Sequence, residues 1–286
     1  MKLLLVPNLD KQHIHSCIRA LTEFAARRQV ELLMNEKYAA CFADCGGIRC
    51  GEFFSLLEEA DLCVAVGGDG TIIHMAKHAA RAGKPTLGIN LGRLGFLAAL
   101  ERDQLSLLDQ LLTGDYRIEE RMMLEITLER GEERLHFQAL NDAVISKGAL
   151  SRMIEVEVSN QGRPVGVYRA DGIIAATPTG STAYALSAGG PIIDPCLSCI
   201  ALTPISAQSL FSRSILFDAA SRIVIQPAGG ENQEIFLTVD GEEGIPIQPG
   251  DRLVIEKSPL AVRLLNLTGK AFYEVLNEKL LCRAHI

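Results

Sequence analysis

No run of apolar residues in this 286-residue chain approaches the eighteen or so that a membrane-spanning helix needs. Positive charge is also short: 28 Lys and Arg stand against 35 Asp and Glu, a formal net charge of -7. A general nucleic-acid binder needs a basic footprint to displace counterions, so nucleic acid is not an expected partner. A small anionic substrate held by a few local donors remains open. Cysteine is sparse for a disulfide scaffold, with eight residues spread over 31.0 kDa, which suits reduced free thiols. Cys196 and Cys199 form a CxxC, yet no second CxxC or histidines at ligand spacing accompany it, so no metal site is expected there. The apolar start, residues 2–6, breaks at Pro7. It is too short for the core of a signal peptide and reads as a first strand, with the cytoplasm as the expected compartment.

What is present falls into two patterns. Residues 1–98 alternate apolar strands (2–6, 30–34, 62–66, 85–89) with helical spacing (14–28, 51–60, 71–82). That alternation predicts a parallel sheet covered on both faces. After about residue 115 the period becomes two. Leu124, Ile126 and Leu128 share one face, as do Ile154, Val156 and Val158, and then Ile235, Leu237 and Val239. Half-buried strands of this kind form an antiparallel sheet or sandwich. Asn160-Gln161-Gly162 supplies a hairpin turn, and residues 268–281 return to helical spacing with apolar residues that need a surface. The expected fold class is therefore α/β. An N-terminal parallel-sheet domain (1–114) is followed by a mostly β, sandwich-like domain (115–266), and a C-terminal helix (267–286) packs back on the first.

The run 62–66 ends in Gly67-Gly68-Asp69-Gly70-Thr71 and enters a helix. Ligands collect at the C-terminal ends of parallel strands. Glycines let the backbone turn tightly, and a helix N-terminus presents free N–H groups to anions. Neither GxxxxGK[ST] nor GxGxxG fits, because residue 73 is Ile73. An aspartate framed by glycines after a fully apolar strand points to chemistry on a hydroxyl nucleophile more than to a helix cap. An ordinary aspartate, with a pKa of about 3.9, is a weak base at neutral pH. Positioning and charge stabilisation must therefore carry most of a phosphoryl transfer. His74 and His78 lie one turn apart, but Met75 stands where a HExxH pattern needs a glutamate, and Ala76 beside it supplies no carboxylate either. Both read as structural or surface histidines, with His74 the nearer to the loop.

Three further segments stand out. Asn90-Leu91-Gly92-Arg93-Leu94-Gly95-Phe96 follows another buried strand, with Asn90 and Arg93 as its polar groups. Asn141-Asp142 closes an apolar-polar strand. The stretch from Asp171 to Tyr184 carries Thr177, Thr179, Ser181 and Thr182, more hydroxyls than one helix cap requires.

Together these motifs resemble the NAD kinases, which phosphorylate the adenosine-ribose 2′-hydroxyl of NAD to make NADP. The resemblance spans essentially the whole chain. The Gly-Gly-Asp-Gly turn alone is shared with lipid kinases and phosphofructokinases. The string Thr177-Pro178-Thr179-Gly180-Ser181-Thr182-Ala183-Tyr184 together with Asn141-Asp142 is specific. The resemblance implies that Asp69 accepts the hydroxyl proton, with Gly68 and Gly70 in the phosphate loop and His74 and Asn90 nearby. It implies that Asn141 and Asp142 hold the adenosine part of NAD, and that Asp171 and the preceding Arg169 meet the nicotinamide side. Thr182, Ala183, Tyr184, Ala185, Leu186 and Ser187 would line the dinucleotide. Arg152, Asp240 and Glu242 would add contacts. ATP, or polyphosphate, is the implied donor, with Mg²⁺ or another divalent cation riding largely on its phosphates. A homodimer or homotetramer is implied, Asp171 being a candidate to act across subunits. A lipid or sphingoid-base kinase and a noncatalytic dinucleotide sensor are the alternatives. The first would want an acyl groove or a basic membrane face, and the second could dispense with Asp69.

Overall fold

The computed structural model describes residues 1–92, 95–149, 152–208, 213–228 and 234–281. They form two units, one of Met1–Glu120 with the chain from Val262 onward, the other Arg121–Ala261. No helix among the described residues is long and apolar enough to cross a membrane.

In the first unit five strands pair in parallel: β1 (Lys2–Pro7), β2 (Glu31–Asn35), β3 (Ile48–Gly51), β4 (Leu62–Gly67) and β5 (Thr86–Asn90). Their order is β5-β4-β1-β2-β3, and Leu264 from the end of the strand Arg252–Asn266 adds beside β5. Every residue of β4 and β5 is buried, and β4 accordingly reads as an unbroken apolar run, while β5 carries Thr86 and Asn90 at its ends. Helix α1 (Ile14–Arg28) buries Ile14, Cys17, Ile18, Leu21, Phe24 and Ala25, one stripe at helical spacing. Helices α2 (Phe53–Glu59) and α3 (Asp69–Arg81) complete the alternation. Strand β3 was not legible in the sequence. At the sheet edge its two central residues, Arg49 and Cys50, are exposed and its two ends half-buried, so it carries little hydrophobic signal. Helix α3 begins at Asp69 and not at Thr71, because the Ile72 N–H already donates to the Gly68 carbonyl at 3.1 Å.

The second unit is a sandwich. One sheet runs Ile215–Asp218, Cys199–Ile205, Gly172–Ala176, Asp142–Lys147, Ile235–Val239, Ile245–Ile247, all antiparallel. The facing sheet contributes Leu124, Ile126, Val156, Val158 and Leu253 to a core shared with Ile145, Ile173, Leu202 and Leu237. The period-two faces predict this arrangement: Leu124, Ile126 and Leu128 are buried while Glu125, Thr127 and Glu129 stay partly exposed. The 160–162 turn takes a left-handed backbone at both Gln161 (φ 50°) and Gly162 (φ 76°), the twist that suits a tight hairpin. The tail forms a helix over Phe272–Leu276, widening to a π turn over Asn277–Leu281. Residues 268–270 stay non-helical because the Asn266 side chain holds Thr268, Gly269 and Lys270. The tail sits on the first unit: Phe272 meets the Phe96 ring, and the Lys279 ammonium lies 3.5 Å from its centre.

The parallel register sets Val66 beside Pro7 and Gly67 beside Asn90, so the ends of β1, β4 and β5 share one edge. Gly88 keeps α3 close to this sheet. A Cβ there would stand 2.5 Å from Ile72 Cδ1 and 3.1 Å from Ala98 Cα. Gly88→Ala is expected to destabilise the protein by about 1–3 kcal/mol through overpacking. A lower urea midpoint at unchanged slope would show it.

Candidate functional site

At the edge of the first unit, Gly67 is packed so tightly that a Cβ would lie 2.4 Å from Thr71 Oγ1. Thr71 is held in turn by the Asn8 amide at 3.1 Å, and the Asn8 N–H donates to the Val66 carbonyl at 2.9 Å. Asp69, the first residue of α3, is half-buried. Its Oδ2 accepts the Phe96 N–H at 2.9 Å and its Oδ1 accepts the Leu97 N–H at 3.3 Å. Gly95 makes that approach possible, since a Cβ there would stand 1.8 Å from Asp69 Oδ1. Gly68 and Gly70 present backbone at the helix start, and Lys11 reaches over Gly68, with a Gly68 Cβ falling 3.8 Å from Lys11 Nζ. Asn90 is buried and closes a ring with Gly92, donating to its carbonyl at 3.1 Å and accepting its N–H at 3.2 Å. Arg93 lies outside the described residues. His74 is exposed and packs edge-on against His78, which in turn meets Phe53 and Phe54.

In the second unit Asn141 and Asp142 open the strand Asp142–Lys147. The Asp240 carboxylate accepts three backbone N–H groups, from Leu140 at 2.9 Å, Asn141 at 2.7 Å and Asp142 at 3.2 Å. Thr177 donates its hydroxyl to the Leu140 carbonyl at 2.6 Å and its N–H to the Asn141 carbonyl at 2.8 Å. Gly180 presses onto Asn141, whose carbonyl oxygen would stand 2.0 Å from a Cβ. The hydroxyl-rich stretch folds as a 3-10 turn, Thr179–Thr182, and a one-turn helix, Tyr184–Ser187. Ser181 and Thr182 donate back to the carbonyls of Pro178 and Thr179. Ala185 is buried, Ala183 and Leu186 are half-buried, and Tyr184 and Ser187 are exposed. Asp171 pairs with Lys147 at 2.8 Å, while Arg152, Arg169 and Glu242 are exposed.

The sequence did not single out Asn8 or Lys11, nor, within the 90–97 loop, did it show that Gly95 and the amides of Phe96 and Leu97 meet Asp69. Nor did it single out Thr177 for holding the strand end, or Lys147. Gly95 carried a signal, its spacing from Gly92, but nothing local shows that it makes room for Asp69. Among the described residues the cysteines are free, and burial pushes the Cys17 thiol up to about 11 and that of Cys63 up to about 12.

Two family models match the chain: the ATP-NAD kinase N-terminal domain over residues 54–116 and the ATP-NAD kinase C-terminal domain over residues 140–267. An NAD kinase of Moorella thermoacetica is 40% identical over 282 residues, covering 96% of this chain and 88% of its own length. One from Symbiobacterium thermophilum is 47% identical over 224 residues, covering 78% and 79%. Yeast NADH kinase, solved with NADH, superposes with a TM-score of 0.87 at 23% identity over 100% of this chain and 89% of that one. An Archaeoglobus fulgidus NAD kinase solved with ATP gives 0.70 at 24% identity over 92% and 93%. At those identities the two structures speak for the fold alone.

Asp142 is 4% exposed, and burial, with the Asp240 carboxylate second, pushes its pKa up to about 7. The unfolded chain holds such a carboxyl near 3.8, so between about pH 4 and 7 the folded state binds the extra proton. Stability therefore falls as pH rises through that window and levels off above it. Asp142→Asn removes this dependence. The variant should match the parent near pH 4 and exceed its stability by roughly 4 kcal/mol near pH 8. Urea unfolding at the two pH values measures the difference.

Proposed function

The chain belongs to the NAD kinase family, and from that footing we propose how its residues divide the work. Its reaction is transfer of the terminal phosphoryl group of ATP to the 2′-hydroxyl of the adenosine ribose of NAD, giving NADP. Both halves of the chain carry matches to NAD kinase models, which favours this reaction over that of a lipid or sphingoid-base kinase, the alternative that would share the glycine-framed turn and a β-rich second domain. An aspartate aimed by two amides supports an enzyme over a noncatalytic sensor.

Asp69 receives and orients the ribose hydroxyl. The observation that carries this role is its carboxylate fixed by the Phe96 and Leu97 N–H groups at the end of two buried parallel strands. A carboxylate with a set direction needs no search at the moment of transfer. The amides around Gly68 and Gly70 and the Lys11 ammonium stabilise charge on the donor phosphates. From the second unit, Asn141 and Asp142 hold the adenosine part, and Asp171, Arg169 and Arg152 meet the rest of the dinucleotide. The segment from Thr182 to Ser187 lines it, with Glu242 at the margin. Among the described residues no three His, Cys, Asp or Glu side chains come together as a metal cage. A divalent cation such as Mg²⁺ would therefore arrive on the donor phosphates and neutralise their charge there. Amides read phosphate charge and shape, so inorganic polyphosphate is a second donor in this proposal. The cytoplasm, which supplies both ATP and NAD, is the proposed compartment, and a homodimer or homotetramer the proposed assembly.

NADP formation from NAD and ATP with Mg²⁺ tests the reading. Asp69→Asn should lose roughly a hundredfold or more in kcat while binding NAD within a few-fold of the parent. Equal turnover by the variant would remove Asp69 from the chemistry, and no NADP from ATP or polyphosphate would overturn the reaction itself. Lys11→Met should raise the KM for ATP about tenfold with a smaller change in the KM for NAD. Parallel rises in both constants would refute a donor-phosphate role.

A further inference from the structure

All six backbone polar groups of Leu140, Asn141 and Asp142 are engaged by two residues. Asp240 takes the three N–H groups on its carboxylate and gives its own N–H to the Asp142 carbonyl at 3.0 Å. Thr177 takes the other two carbonyls, through its hydroxyl and its N–H, and the same hydroxyl accepts the Gly180 N–H at 3.0 Å.

Asp240 also occupies a turn. Its φ is 50° and that of Gly241 is 72°, and the Glu242 N–H donates to the Val239 carbonyl at 3.0 Å. A two-residue turn with both central residues left-handed accepts Asn-Gly as readily as Asp-Gly. The turn alone therefore does not ask for a carboxylate. Three N–H donors converging on one side chain do, because an amide would turn an NH₂ toward a donor.

We propose that Asp240 is a positioning residue for the acceptor: its carboxylate fixes the backbone of residues 140–142 so that the Asn141 and Asp142 side chains are presented to the dinucleotide. This rests on the reading that those two side chains hold NAD. The Asp240 carboxylate is also the charged group whose field reaches Asp142, while Ala176 faces it from the neighbouring strand. Positioning and electrostatics are thus joined in one side chain.

Asp240→Asn keeps the turn and removes the carboxylate. The KM for NAD should rise roughly tenfold or more, with kcat falling much less and the KM for ATP nearly constant. The limb of the kcat/KM profile that reports Asp142 should move to lower pH, since its charged neighbour is gone; a purely structural lesion leaves that limb in place. A folded Asp240→Asn protein with the parent's KM for NAD and an unmoved limb overturns the proposal. If that variant does not fold, Thr177→Val and Thr177→Ser decide. A rise in the KM for NAD several-fold larger for valine supports the proposal, and equal rises overturn it. A parent protein that forms no NADP refutes instead the reading on which the proposal stands.

Discussion

Backbone N–H and C=O groups at the ends of buried strands must find partners, and in this chain side chains placed at those ends supply many of them. β4 and β5 are buried along their whole length, so the chain leaving them cannot simply turn to water. Leu91 closes back on Gly67, and Asp69 gathers the N–H groups of Phe96 and Leu97. In the second unit Asp240 and Thr177 do the same for residues 140–142. The acidic residues assigned to function are thereby tied into the fold. Removing their charge changes both the local structure and the chemistry, and only kinetic constants taken separately tell the two apart.

Much of the architecture was legible because burial writes itself into residue spacing. An unbroken apolar run marked β4, the short segment 85–89 marked β5, and alternating Leu-Glu-Ile-Thr-Leu-Glu marked the strand through Leu124. β3 was illegible because an edge strand with exposed Arg49 and Cys50 has no such pattern. The glycine-framed Asp69 announced a site, but its bonds to residues 27 and 28 positions away did not. Spacing rules reach about one helical turn or one hairpin, and contacts beyond that depend on topology. Asp240 shows the same limit: Asp-Gly after an alternating strand reads as a turn, and nothing near it in the sequence names Leu140 as its partner.

The two clusters differ in electrostatic character. Around Asp69 the carboxylate is met by amides, with the Lys11 ammonium beside the loop, an arrangement suited to phosphate oxygens. Around Asp142 a buried carboxyl stands next to a second carboxylate, and its proton is held up to about pH 7. A chain with net charge -7 can therefore handle anionic substrates by local arrangement of donors, without a basic surface.

The bond between the Asn141 N–H and Asp240 joins residues 99 positions apart. Closing a loop of that length costs entropy before the contact repays it. The turn at Asp240-Gly241 is local, whereas the bonds of its carboxylate need two distant segments brought together. On the role proposed for Asp240, competence to hold the acceptor therefore depends on the completed sandwich. A dinucleotide that binds only the completed arrangement draws the population toward the native state by mass action, in proportion to its concentration over its dissociation constant.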